Sequence, residues 1–80
     1  MDEKSILSHI SDLVAEEHEL RSRHVGSGLD EPELARLHAI EIELDRTWDL
    51  LRQRRAKAEA GDDPDNVKER DAAEVETYLQ

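Results

Sequence analysis

Cysteine is absent from this 80-residue chain. That excludes disulfides, thiolate zinc sites and a cysteine nucleophile. There is no Gly-rich phosphate loop, no His-Glu-x-x-His zinc pattern and no serine-nucleophile elbow. No apolar run approaches the roughly 20 residues needed to span a bilayer. The segment Met1 to Lys4 lacks the basic and apolar regions of a signal peptide, so cytoplasmic residence is the expectation. Positive charge is scarce: 11 Lys and Arg stand against 21 Asp and Glu, a formal net charge of −10. A nucleic-acid binder needs cations to displace phosphate counterions, so nucleic acid is not an expected partner. The same charge disfavours an anionic membrane.

What is present is periodic. Charged residues make up 40% of the chain and apolar residues 36%, a balance that borders on disorder. The apolar residues of roughly the first sixty positions are nevertheless ordered rather than scattered, with helical spacing. Ile6, Ile10, Leu13 and Leu20 recur on one side of a first segment, with Glu17 in their midst. Leu7 and Val14 widen that side to about 140° at about 100° per residue. Leu37, Ile40, Leu44, Trp48 and Leu51 form a second stripe.

The ends of these segments carry start and stop signals. Asp2 is placed to cap the first helix, with Met1 and Ile6 at the two positions of a hydrophobic staple. Val25-Gly26-Ser27-Gly28 supplies the break. Asp30 and Glu33 form a capping box for the second helix, Leu29 and Leu34 a staple, and Pro32 falls in the first turn. Gly61 suits the position just past the helix end. Asp63 and Pro64 can start a third, short helix bearing a sparse stripe of Val67, Val75, Tyr78 and Leu79.

The expected fold is all-α: an antiparallel hairpin of helices over about 3–24 and 31–60, with a short carboxyl-terminal helix over about 64–78. Residues 1–60 form the hairpin unit and 61–80 the linker and tail. Pairing the apolar layers puts facing residues at positions summing to roughly 57, so that Ile10 meets Trp48 and Ile6 meets Leu51. Trp48, among leucines, reads as a core anchor. Leu7 and Val14 exceed the strip that one partner helix covers, so another protomer or the tail should cover them. Ile42 and Leu50 also point away from the seam and suggest a second contact surface. The simplest assembly is a two-fold homodimer resembling a four-helix bundle.

Three clusters bear on chemistry. Glu17 is costly in an apolar seam unless paired. Arg21, one turn on, and His38 are its expected partners in a polar layer that fixes register or oligomeric state. A sharper alternative is a metal site, with Glu17, His38 and Glu41 as ligands, since four-helix carboxylate proteins use inward Glu with Glu-x-x-His pairs. Here the order is reversed, as His38-x-x-Glu41, and His18 projects about 100° away from Glu17. The third cluster is Arg52-Gln53-Arg54-Arg55-Ala56-Lys57. Its cations complement the helix dipole and face Asp2 and Glu3, and Arg52, Arg54 and Arg55 are also the candidate docking residues for an acidic partner or anion.

The segments Leu13-Val14-Ala15-Glu16-Glu17-His18-Glu19-Leu20-Arg21 and Leu44-Asp45-Arg46-Thr47-Trp48-Asp49-Leu50-Leu51-Arg52-Gln53-Arg54-Arg55-Ala56 resemble a family of short actinobacterial proteins known as a domain of unknown function. Gly61-Asp62-Asp63-Pro64-Asp65 and Val75-Glu76-Thr77-Tyr78 fit it too, so the resemblance covers nearly the whole chain. The family pattern often has a glutamine-cysteine pair where this chain has Arg46 and Thr47. The resemblance implies a compact standalone protein and brings no catalytic residues or cofactor. The leading expectation is therefore a non-enzymatic, self-associating interaction or regulatory module. The alternatives are the metal-binding bundle and an acidic antitoxin- or inhibitor-like binder of a basic protein, the latter motivated by the net charge.

Overall fold

The computed structural model describes residues 2–67 and 71–79, with side chains through Glu76. Helix α1 spans Glu3–Ser27 and α2 spans Glu31–Glu59. The capping signals act as expected. The Asp2 carboxylate accepts from the Ser5 amide at 2.8 Å. Asp30 and Glu33 each accept from the other's backbone amide, a complete capping box, with Pro32 in the first turn. The proposed staple partner of Ile6, Met1, lies outside the described residues.

Two glycines set the helix ends. α1 runs three residues beyond the expected end at His24, through Gly26, because one helical glycine costs only about 1 kcal/mol. The chain leaves the helix at Gly28, whose φ of 77° is readily adopted only by glycine. α2 closes in a Schellman motif: Gly61, at φ 82°, donates to the Ala58 carbonyl and Asp62 to the Lys57 carbonyl.

The tail differs from the single helix expected over 64–78. Asp63 and Pro64 start only a 3-10 turn, Pro64–Asn66, and Val67 is extended (φ −90°, ψ 134°). Helix α3 then covers Ala72–Leu79, with Asp71 accepting from the Glu74 amide at 2.8 Å. Pro64 was a valid start signal, but the turn it opens ends at the extended Val67.

The hairpin register matches the expected one. Glu3 pairs with Arg55, Glu16 with Arg36, Arg23 with Glu33 and Arg21 with Glu41. Each pair has positions summing to within about five of 57. Ile6, Ile10, Leu13 and Leu20 from α1 are buried with Ile40, Leu44 and Leu51 from α2, and Leu29 and Leu37 pack against them. Fully burying each such side chain stabilises by about 1.5–3 kcal/mol.

α2 is the middle element. Among the described residues, the 3-10 turn and α3 pack on α2 rather than on α1. They cover the side of α2 turned away from α1, where Leu50 and Asp49 are buried and Val67 packs against the core. Val75 of α3 is fully buried. The second surface expected from Ile42 and Leu50 is therefore supplied with cover inside the chain, whereas Leu7 and Val14 stay exposed beside the described residues of the tail. The molecule is a single layer of helices, measuring 50 × 26 × 16 Å. Its accessible surface is 5598 Å², against about 4,900 Å² for a compact monomer of this length.

Leu51→Ala should cost about 2–5 kcal/mol in urea unfolding, because it opens a cavity between α1 and α2. Asp30→Ala should cost about 1 kcal/mol through the lost cap. Val25→Ala, on an exposed position, should stay within about 0.5 kcal/mol.

Candidate functional site

α1 carries two heptad rows offset by one residue. The first (Ile6, Ile10, Leu13, Glu17, Leu20, His24) faces α2. The second (Leu7, Ser11, Val14, His18, Arg21, Val25) contains no carboxylate, although the chain holds 21 of them. α2 repeats the arrangement, with Leu34, Glu41, Trp48 and Arg55 in steps of seven beside its own seam. A straight helix drifts only about 20° per seven residues, so each row stays on one side.

Ion pairs show how these rows sit relative to one another. Arg21 reaches Glu41 at 2.8 Å, tying the second row of α1 to that of α2 along one side of the hairpin, and Arg55 of the α2 row reaches Glu3 at the start of α1 at 2.8 Å. Along the other side, Arg36 grips Glu16 through two nitrogens at 2.6 and 2.8 Å, and His9 approaches Glu43 at 3.6 Å. The Glu16 carboxyl is held below its ordinary pKa by the hydrogen bond from Arg36. One broad side of the layer is therefore charged and cross-linked.

The opposite side carries the exposed apolar residues beside the Arg21–Glu41 and Arg55–Glu3 pairs. Leu7 is 42% exposed, Val14 45%, Val25 88%, Leu34 44% and Trp48 41%. All five large apolar side chains that are exposed among the described residues lie on this one face. Trp48 is a correction to the expected core anchor. At 100° per residue it stands about 60° round from Leu51, at the rim of the seam, and it is left partly exposed there. The alternation of leucines concealed this, since a stripe shows periodicity but not which edge borders solvent.

The polar layer also differs in membership. Arg21 lies 3.7 Å from Glu17 and 2.8 Å from Glu41, so one guanidinium bridges two carboxylates. His38, expected in that layer, is exposed and takes no part in this bridge. Glu17, His38 and Glu41, the residues of the metal alternative, are thus not gathered. Among the described residues no group of three His, Asp or Glu is placed to hold a metal ion.

The basic cluster divides. Arg54 is only 11% exposed in its side chain and donates to the Pro64 carbonyl and to the Asp65 carboxylate at 2.8 Å, fastening the 3-10 turn to α2. Arg55 pairs with Glu3, and the two line a small cleft of about 80 Å³ with Arg54, Ala58 and Pro64. Arg52 is exposed. Of the three proposed docking arginines, one anchors the tail and one ties α2 to the start of α1.

The other contact holding the tail was not anticipated. Glu76 of α3 meets Asp45 of α2, and the hydrogen bond between the two carboxyl groups, followed by burial, raises the pKa of Glu76. Its Oε1 atom is buried without a hydrogen-bond partner. Only the tail's docking brings these acids together, and nothing in their sequence separation signals it.

The chain matches, over residues 2–80, a family model described as "Protein of unknown function (DUF2630)". It belongs to that family. Relatives within reach include uncharacterised proteins of Mycobacterium bovis and Mycobacterium tuberculosis. Each is 52% identical over 73 residues, covering 90% of this chain and 84% of the relative. No solved structure matches the chain at a significant level. No helix among the described residues is long and apolar enough to cross a membrane.

Two predictions concern the DUF2630 tail. Arg54→Ala should release the 3-10 turn and raise hydrogen exchange at Val67 and Val75, whereas Arg52→Ala should leave both unchanged. The second concerns pH. The pKa of Glu76 is higher in the docked state than in the free chain, so its contribution to docking is complete below the ordinary carboxylate range and is lost as pH rises through the raised value. Amide exchange at Val75 should accelerate over that interval beyond its intrinsic pH dependence, and Glu76→Gln should abolish the excess.

Proposed function

We propose that this DUF2630 protein is a non-catalytic, self-associating helical module that pairs with a second copy through the face bearing Leu7, Val14 and Trp48. One observation carries the reading: all the large apolar side chains exposed among the described residues share one side of a one-layer molecule. Monomers rarely leave contiguous apolar patches of several hundred Å² in water, and such patches mark association sites. The accessible surface exceeds that of a compact monomer by roughly 700 Å², comparable to the ~800 Å² that each partner contributes to a standard interface.

Charge selects the occupant. Two chains of net charge −10 repel wherever their acidic sides meet. The second row of α1 has no carboxylate, and Glu41 on the α2 row is already neutralised by Arg21. A second copy can therefore dock here without burying unpaired acids. The apolar residues supply affinity, while the Glu17–Arg21–Glu41 layer limits the ways in which two copies fit. Such a dimer is a protein-interaction or regulatory scaffold that leaves Arg52 and the acidic sides available to other proteins.

Size-exclusion chromatography with light scattering tests the reading. The wild-type protein should run as a dimer at micromolar concentration. Leu7→Glu with Val14→Glu should give a monomer that keeps its helical circular dichroism. A wild-type monomer at 100 µM would refute it.

A further inference from the structure

We infer that the two copies pack with their hairpin loops at the same end, α1 of one lying antiparallel against α2 of the other. This rests on the self-association proposed above and adds its geometry. Two flat hairpins that share an apolar face have two ways to stack with two-fold symmetry. If the axis runs parallel to the helices, α1 covers the partner's α2 and the loops coincide at one end. If it runs across them, α1 covers the partner's α1 and the loops lie at opposite ends.

The charges on the face separate these options. The second row of α1 holds His18 and Arg21, Lys4 continues it by one heptad, and no acid is present in it. Opposite-end packing would run two such rows antiparallel against each other, and neither row offers Arg21 an acid. The α2 row, in contrast, holds Glu41. Same-end packing brings each α1 row against an α2 row, so that Arg21 approaches the partner's Glu41 as well as its own. The Arg21–Glu41 pair, 2.8 Å apart within one chain, then becomes half of a four-residue ring across the interface. Bridged, alternating charges of this kind fix register at little cost, whereas like charges directly opposed destabilise.

The apolar heights agree with the same choice. A two-fold axis along the helices preserves level, so residues that are level within one hairpin are level between hairpins. Leu7 stands within about a turn of Trp48, and Val25 within about a turn of Leu34, on the register that the ion pairs define. Same-end packing therefore places Leu7 against the partner's Trp48 near the chain ends and Val25 against the partner's Leu34 near the loop, with the Arg21–Glu41 ring between them. This also accounts for the exposure of Trp48: its ring lies on the face that the partner's α1 covers.

The absence of cysteine makes the test direct, because a single introduced thiol carries the only spin label in each chain. Ser27 is exposed at the loop end of α1, and its hydroxyl bonds only the Arg23 carbonyl within the same helix turn. In Ser27→Cys labelled with a nitroxide, electron–electron dipolar spectroscopy should give one label-to-label distance of about 25 Å or less. Opposite-end packing would separate the labels by about the length of α1, roughly 37 Å at 1.5 Å per residue, and would overturn the inference while leaving self-association intact. No intermolecular coupling at 100 µM, together with a monomeric mass by light scattering, would overturn both.

Discussion

A helix with one neighbour can bury one stripe of side chains; a helix with two apolar stripes needs two neighbours. The structure is organised around that constraint. α2 satisfies it within the chain, since α1 takes one side of it and the tail takes the other. α1 does not. Its first row is buried against Ile40, Leu44 and Leu51, while its second row, with Leu7 and Val14, faces outward. Stable domains generally pack two layers around a core, and this chain on its own makes one layer. The shape of the molecule, its excess surface and the location of its apolar residues all follow from that shortfall.

Charge shapes what can make up the missing layer. On the charged side, Glu16 and Arg36 form a two-point ion pair that staples the hairpin and turns that side to water. Exposed pairs of this sort are screened by water and add little stability, so their role is to set register. On the side bearing the exposed apolar residues, the second α1 row holds no carboxylate, and the glutamates beside it, Glu41 and Glu3, are paired with Arg21 and Arg55. The surface is therefore two-sided: one side is dense in cross-linked charge and the other bears the exposed apolar residues.

Much of this was legible in the sequence, and where it was not the reason is physical. The hairpin, its register and its caps depend on short-range rules, and Asp2, Asp30, Glu33, Gly28 and Gly61 carry them openly. Helical spacing identified the buried residues of α1 correctly. It could not show that Trp48 borders solvent, because its angle lies between seam and face and only the packed helix on one side decides. The tail was least legible. Asp63 and Pro64 start a helix in any context, but whether it continues depends on what α2 offers beyond Val67. Arg54 looked like its neighbours Arg52 and Arg55 until Pro64 and Asp65 were seen to claim it. The pairing of Glu76 with Asp45 depends on where α3 docks, which no local pattern encodes.

The central claim is that the face around Trp48 is open in one chain and covered in the assembly. As the sole tryptophan, Trp48 reports on it directly. Its emission maximum and its quenching by iodide should be measured across a dilution series from about 100 µM to below 100 nM. Coverage by a second copy predicts a blue-shifted, poorly quenched tryptophan at high concentration. On dilution it should move to the red and become accessible in a single transition, while helical circular dichroism remains. A spectrum and quenching constant that stay the same, with Trp48 accessible at every concentration, would contradict the account.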